Sequence, residues 1–346
     1  MSTTSNPILA TAAAAALLTA SHAALAQDKV SLRAADYLAP THYLIRYGVT
    51  HWIEQVTKQS NGRIEIKHFP SEQLGKAKDM LSLTQSGVAD VAGIVPSFVS
   101  DRMPLSTIAE LPGLYNTSCQ GTRATADLMM NDGILVKQEL EPNNVIVIFT
   151  LATPTYTAFS KREKLSSIDD LKGQKLRTVG GVMSQTLDKL GAVGVQMASP
   201  EIYESLARGT VEGLVYAYSP LFSGGLQKLV KSSIADVNFG GASYSYVMNK
   251  QKFSALPADV QKILLSAGQD TMAYACREAD RETREAKEKV AASGVQSFPV
   301  PAAEKLRWNK VFDDVADEWV KDGAKRGKPA GAVYKAYREA LAKYPD

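Results

Sequence analysis

The chain has 346 residues, with 39 Lys and Arg against 36 Asp and Glu and a formal net charge of +3. That length is too great for one small core and suits two domains of about 100–200 residues each. With 45% hydrophobic and 22% charged residues, 24 Gly and 15 Pro, the composition excludes a disordered, collagen-like or disulfide-scaffold chain. The small positive charge is dispersed, with no concentrated basic patch, so nucleic acid is not an expected partner.

The stretch from Ile8 to Ala20 is uncharged, apolar and of secretory h-region length, shorter than the ~20 residues of a membrane span. Ala24-Leu25-Ala26 has the small-x-small form of a cleavage site. Residues 1–26 therefore read as a signal peptide and the mature chain starts at Gln27. One feature departs from the pattern: Met1 to Pro7 carries no Lys or Arg. No later apolar run reaches the length of a membrane span, which predicts a soluble mature protein. Export makes a disulfide between Cys119 and Cys276 chemically possible. Two buried thiols are the alternative, and both readings stay open because sequence supplies no distance.

Val30–Leu38 alternates as a strand. A helix follows from Pro40 and Thr41, with Ile45, Val49, Trp52, Ile53 and Val56 on one face at the 3.6-residue period. Asn61-Gly62 ends it. Arg63–Phe69 alternates as a second strand, and after a Gly75 loop and a short helix comes the apolar strand Val88–Val95. This β-α-β-α-β order predicts a mostly parallel sheet. Asn144–Pro154 reads as a buried strand, and further β/α units run through Lys175–Val179, Val193–Met197 and Val211–Ala217. Ser86-Gly87-Val88-Ala89-Asp90-Val91 is echoed by Arg208-Gly209-Thr210-Val211-Glu212-Gly213. Two similar α/β lobes would produce that echo, as would coincidence at a common helix-turn-strand junction. Between Pro257 and Ser293 only Gly268 interrupts an Ala/Glu/Lys/Arg/Gln-rich segment, which predicts a helix of up to about 36 residues, roughly 50 Å long. That exceeds the width of a small domain and predicts a helix lying across both lobes. Amphipathic helices near Ala302–Gly323 and Ala330–Lys343 close the chain.

No catalytic constellation stands out. His22, His42, His51 and His68 contain no pair at the spacing of a helical zinc site, and there is no CxxC, GxSxG or GxxxxGK[ST]. Asp169 and Asp170 are adjacent, so their side chains do not converge. They read as the solvated start of a short helix. The sequence therefore predicts no cofactor, no metal and no enzyme activity. The rival reading is an exported enzyme on carboxylic acids, with His42 or Asp36 as the available bases.

Several blocks occur in a telling order: Leu32-Arg33-Ala34-Ala35-Asp36, Gly62-Arg63-Ile64-Glu65-Ile66, Phe69-Pro70 through Gln73-Leu74-Gly75, and Gly87-Val88-Ala89-Asp90-Val91. Then come Glu110-Leu111-Pro112-Gly113-Leu114, Asp170-Leu171-Lys172-Gly173-Gln174-Lys175-Leu176-Arg177, Leu190-Gly191-Ala192, Tyr203 through Gly209, Met248-Asn249-Lys250 and Leu256-Pro257. In these blocks the chain from Lys29 to Tyr344 resembles the periplasmic substrate-binding proteins of TRAP transporters, the DctP-like family. The resemblance implies an α/β, two-lobed periplasmic-binding-protein-like fold: mixed sheets flanked by helices, a ligand cleft between the lobes and a long lobe-spanning helix. The expected division is 27–153 plus 241–283 for lobe I and 154–240 plus 284–346 for lobe II. The resemblance also implies a periplasmic receptor for a small organic acid, partnered by small and large integral-membrane subunits, and a monomer.

The family's ligand-clamping arginine falls on Arg177. Its chemistry agrees: a planar guanidinium grips a carboxylate by two parallel hydrogen bonds, and a strand end before a Gly-rich turn is where open α/β sheets bind ligands. Sialic-acid-type members are similar but carry a second arginine on the crossing strand, and Asn144–Ser160 holds none. Where many dicarboxylate-type members have Asp-Gly-Gln-Glu-Asn, this chain has Glu212-Gly213-Leu214-Val215-Tyr216. The expected ligand is a small monocarboxylate such as a 2-oxo, 2-hydroxy or aromatic acid. The alternative is a C4-dicarboxylate, with His42 or Arg46 as the second cation it would need. Expected wall residues are Tyr37, His42, Phe98, Tyr156, Tyr216 and Tyr218, each of which alone would more often be ordinary core.

Overall fold

The structure, a computed structural model, describes residues 29–345. The signal segment and its Ala24-Leu25-Ala26 site lie outside the described residues.

In chain order the elements are β1 (Val30–Ala35), α1 (His51–Gln59), β2 (Ile64–Phe69), α2 (Met80–Gln85), β3 (Val91–Ile94), α3 (Ser118–Met129), β4 (Val145–Ala152) and β5 (Thr157–Ser160). Next come β6 (Lys175–Thr178), α4 (Gly181–Lys189), β7 (Val193–Gln196), α5 (Ile202–Ala207), β8 (Gly213–Tyr216), α6 (Tyr218–Ser223), β9 (Ser232–Ala235) and β10 (Ser243–Asn249). The last are α7 (Lys250–Ser254), α8 (Ala258–Ala292), β11 (Gln296–Pro299), α9 (Ala302–Lys325) and α10 (Ala330–Lys343). A π-helical turn, Leu44–Thr50, leads into α1. Ile45, Val49, Trp52 and Val56 are buried along the expected apolar face, while Ile53 is half-buried at its edge. Asn61 and Gly62 end the helix with φ of 50° and 76°.

The strands form two mixed sheets, ordered β2-β1-β3-β10-β4 and β11-β9-β5-β8-β6-β7. Each is parallel except for one strand, β10 in the first and β5 in the second. The expected parallel sheet is thus correct for β1–β3 and incomplete for the whole. The reversed strands are those whose chain has just crossed from the other sheet, β4 into β5 and β9 into β10. The two crossings bind each other: Thr153 N–H donates to Ala242 O, Tyr156 N–H to Gly240 O and Phe239 N–H to Tyr156 O.

The sequence echo is a structural repeat. Gly87 and Gly209 both take left-handed φ, 72° and 77°, after the six-residue helices α2 and α5. Asp90 then accepts from Arg33 N–H of the adjoining strand at 2.8 Å, and Glu212 from Lys175 N–H at 3.0 Å. Helix, strand and neighbour correspond throughout, so β1 and β6 occupy equivalent central places and both end toward the seam between the sheets.

Helix α8 ties these units together. Trp52 Nε1 donates to Leu264 O at 3.2 Å, and Asp280 accepts from Ser118 and Cys119 N–H at 2.7 and 3.1 Å, capping α3. A Cys119–Cys276 disulfide joins α3 to α8 with a Cα–Cα distance of 4.7 Å, which resolves the open question about the thiols. Glu282 accepts from Arg46 and Tyr47 beside the first sheet and from Ser219 Oγ on α6 beside the second. At the rear, Trp308 of α9 packs on Phe239 and Phe312, while Trp319 Nε1 donates to Thr107 Oγ1 at 2.9 Å. No helix among the described residues is long and apolar enough to cross a membrane.

At Gly268, α8 lies directly against β4. A Cβ there would overlap the Ile148 carbonyl oxygen. In an open helix Gly→Ala gains about 1 kcal/mol. Here the overlap reverses the sign, and Gly268→Ala should lower stability by about 1–3 kcal/mol, read as a fall in the urea midpoint at unchanged slope. A rise in the midpoint would show that α8 has room to retreat.

Candidate functional site

Arg177 is the third residue of β6, at the carboxyl end of the strand. It is 1% exposed, among the largest fully buried side chains of the protein. Strand β7, registered beside β6, runs on to Met197, whose carbonyl oxygen accepts from Arg177 Nε at 3.1 Å and Nη2 at 2.9 Å. Those two bonds fix the plane of the guanidinium. The Tyr216 ring lies against it, with Cζ 4.9 Å from the ring centroid. The remaining nitrogen, Nη1, is buried and has no hydrogen-bond partner. A buried cationic donor normally has a partner, because its desolvation is costly. The group is therefore held rigid and left one donor nitrogen short.

Around Arg177 is a small, mostly enclosed cavity between the sheets. Of the expected residues, Tyr37, His42, Phe98, Tyr156, Arg177 and Tyr216 all line it. Tyr37 meets Phe98 edge to face at 5.8 Å, and Tyr156 meets Tyr216 likewise at 5.7 Å. The first sheet supplies Tyr37 and Phe98 from the turns after β1 and β3. Tyr216 ends β8, and Tyr156 ends the crossing from β4. Burial raises the phenols of Tyr37 and Tyr156, so both are neutral donors at any ordinary pH. Tyr218 is not brought to the cavity. As the first residue of α6 it turns onto the outer packing, with its ring 5.0 Å from Phe159 and near Lys287 of α8.

The lining also includes residues that sequence reasoning missed: Tyr43, Leu44, Thr153, Val179, Ser199 and Pro220 among them. Ser199 Oγ and the Tyr216 hydroxyl bond at 3.0 Å. Tyr43 follows the named His42, so the start of the first helix was a usable signal. Ser199 was not findable in this way, because it comes from a turn in the other repeat.

Charge is sparse here. Burial, reinforced by Arg46 and Arg177, lowers the His42 pKa to about 3, so the ring is neutral. Its Nδ1 accepts from Leu44 N–H at 3.3 Å, which leaves the ring proton on Nε2. Arg46 bonds Glu282, Thr41 O and Tyr47 and does not line the cavity. Arg177 is thus the one cation among the described residues lining the cavity or its mouth. The mouth, formed by Ser71, Glu72, Pro200, Tyr203 and Leu226 with shared wall residues, adds only the carboxylate of Glu72. Asp36 turns away from the cavity. It is fully buried within the first sheet, where Tyr244 donates to Oδ1 and His68 Nε2 lies 3.0 Å from Oδ2.

A family model described as bacterial extracellular solute-binding protein, family 7 (DctP) matches residues 35–322. The chain is 24% identical over 331 residues to the outer membrane transporter protein TsaT of Comamonas testosteroni, covering 95% of this chain and 96% of that one. It is 27% identical over 280 residues to the C4-dicarboxylate-binding periplasmic protein DctP of Rhodobacter capsulatus, covering 78% and 81%. Among solved structures, the fold is similar to that of a TRAP solute binding protein from Rhodoferax ferrireducens, in complex with copurified benzoate. The TM-score is 0.83 at 24% identity, covering 91% and 98%. The match spans both sheets, the crossings and the arginine-bearing strand, and the chain belongs to the DctP family of bacterial extracellular solute-binding proteins.

Proposed function

We propose that the protein is a periplasmic receptor that binds a small monocarboxylic acid and delivers it to a TRAP-type membrane transporter. The observation that carries this reading is the buried, unpartnered Nη1 of Arg177, on a side chain that lines a cavity with an aromatic wall. A carboxylate oxygen there completes the guanidinium's donor set, and low local polarity strengthens the bond. Apolar atoms of the ligand meet the rings of Tyr37, Phe98, Tyr156 and Tyr216. An aromatic acid, or a 2-oxo or 2-hydroxy acid, suits that combination. The benzoate held by the Rhodoferax protein supports the aromatic choice, since it pairs one carboxylate with one ring.

Charge economy argues against a C4-dicarboxylate, despite the name of the Rhodobacter relative. A second carboxylate would be desolvated with no second cation, because His42 is neutral and Arg46 is engaged elsewhere. That costs several kcal/mol. An enzymatic role finds no support in Asp36, whose carboxyl serves Tyr244 and His68 instead.

In this reading, 27–153 with 241–283 and 154–240 with 284–346 act as two lobes that part and close about the paired crossings, as in hinge-closing binding proteins. The acid meets Arg177 on lobe II, Tyr37, His42 and Phe98 of lobe I cover it, and water leaves. The monomeric closed form then docks on the small and large membrane subunits.

A thermal-shift screen of residues 27–346 against organic acids tests the ligand class. A bound acid at about 1,000 times its Kd adds roughly 4 kcal/mol, a rise of several degrees in Tm. Aromatic, 2-oxo or 2-hydroxy monocarboxylates should give the largest shifts, Arg177→Ala should abolish them and Arg177→Lys should weaken them. Largest shifts for dicarboxylates, or shifts surviving in Arg177→Ala, would contradict the reading. A second expectation concerns His42: its ring signals in carbon-detected NMR of the acid-saturated protein should stay at their neutral positions from pH 8 down to pH 4.5, since its pKa is about 3. Titration near pH 6.5 would mean the cavity accepts a second cation.

A further inference from the structure

Behind the cavity, Glu110 is buried in the seam between the two sheets, with 0% exposure. Its Oε1 accepts from Ser97 Oγ, and its Oε2 has no partner. Oε2 is only 3.0 Å from where a Cβ on Gly181, the first residue of α4, would stand. Glu110 and Ser97 belong with the first sheet and Gly181 with the second, so the carboxyl is dry because the two sides meet over it. The seam is also joined to the cavity. Gln196 of β7 donates to Ser97 O at 3.2 Å and to Val179 O at 3.1 Å, bridging the sides. Val179 and Phe98, next to Gly180 and Ser97, both line the ligand cavity.

We propose that Glu110 is a proton-binding site coupled to lobe closure: it takes one proton from solvent as the lobes close on the ligand and returns it as they part. The proposal rests on the closure described under the proposed function. An ionised carboxylate cannot be sealed into this seam without a cation, and none among the described residues faces it. The groups packed on it are Ser97 from the turn after β3 and Gly181 from α4, with Tyr115 and Tyr156 nearby, while Gly240 of the crossing lies against the Glu110 backbone carbonyl. Burial raises both phenols, so neither carries charge. Burial likewise lifts the Glu110 carboxyl from 4.5 to about 8, against the opposing Ser97 hydrogen bond. Lobe separation wets the carboxyl and restores its ordinary value. The Asp36–His68–Tyr244 cluster lies wholly within the first sheet and does not change on closure. His42 gives a proton up on closing, an effect of opposite sign that acts only below its ordinary value of 6.5.

The sign follows from linkage. The closed state binds the proton more tightly, so ligand affinity is greatest at low pH and falls as pH rises toward 8. Between pH 6.5 and 8 the fall should exceed tenfold. Calorimetric titration of the protein with benzoate at pH 6.5, 7.25 and 8.0 reads the affinity. Repeating it in two buffers of different ionisation enthalpy counts the protons. Wild type should take up close to one proton at pH 6.5 to 7.25, and Glu110→Gln should show none, with affinity flat within about twofold. Ser97→Ala, which removes a bond favouring the ionised form, should move the fall to higher pH and provides a second variant should Glu110→Gln misfold. Small-angle scattering of the ligand-free protein supplies a readout independent of any acid: raising pH from 6 to 9 should expand wild type and leave Glu110→Gln unchanged. Benzoate binding through Arg177 with no proton uptake overturns the linkage and leaves the ligand reading standing. Absence of benzoate binding with pH-dependent expansion does the reverse. Scattering and titration that are both insensitive to pH, or equally sensitive in Glu110→Gln, overturn the linkage.

Discussion

A guanidinium sealed between two sheets with one nitrogen unpaired is an unfavourable arrangement for a ligand-free protein. Burying a charge without full compensation costs several kcal/mol. Arg177 carries this burden while two of its nitrogens are locked onto Met197 O and its face is covered by Tyr216. The lock prevents the side chain from relieving itself by swinging to water or to another acceptor. In the proposed function an anion small enough for the cavity would satisfy the group, and binding affinity would draw on energy already stored in the fold.

Much of the surrounding structure serves to hold that geometry. Register between β6 and β7 places the Met197 carbonyl. The repeat puts β1 opposite β6, so that the turns after β1 and β3 bring Tyr37, His42 and Phe98 over the arginine. The paired crossings Thr153–Ala242 and Tyr156–Gly240 leave the two sides joined by only a few backbone bonds on the cavity side. Helix α8, anchored by the Cys119–Cys276 disulfide and the Asp280 cap, gives the assembly a rigid back. Glu282 on that helix accepts from residues of both sides, Arg46 and Ser219.

Features written in local periodicity were legible in the sequence. Helix α10 spans Ala330–Lys343 as read, and the long helix and Gly268 were evident from composition alone. Strand β10 was missed, although every residue of it is buried, because Ser243, Tyr244, Ser245 and Tyr246 lack an apolar pattern. Two of those polar groups are satisfied at long range, Ser245 by Thr150 and Tyr244 by Asp36, and no local rule signals that. Arg177 stood out through its block and its place before Gly180-Gly181. Nothing local revealed that its Nη1 would be unpaired, that Ser199 would join the wall, or that Tyr218 would face the wrong way. Those depend on which turns of the two repeats meet. The near-neutral state of His42 was equally hidden, since burial and the nearby Arg46 set it.

The central claim is that one buried cation sets the charge of the ligand. The most direct measurement is calorimetric titration with a matched pair of acids, benzoate and its ring-dicarboxylate counterpart isophthalate, on the same ligand-free preparation. One unpaired guanidinium predicts that benzoate binds at least a hundredfold more tightly, which corresponds to about 2.7 kcal/mol. Equal or tighter binding of the dianion would contradict the account and require a second cation in the closed cavity.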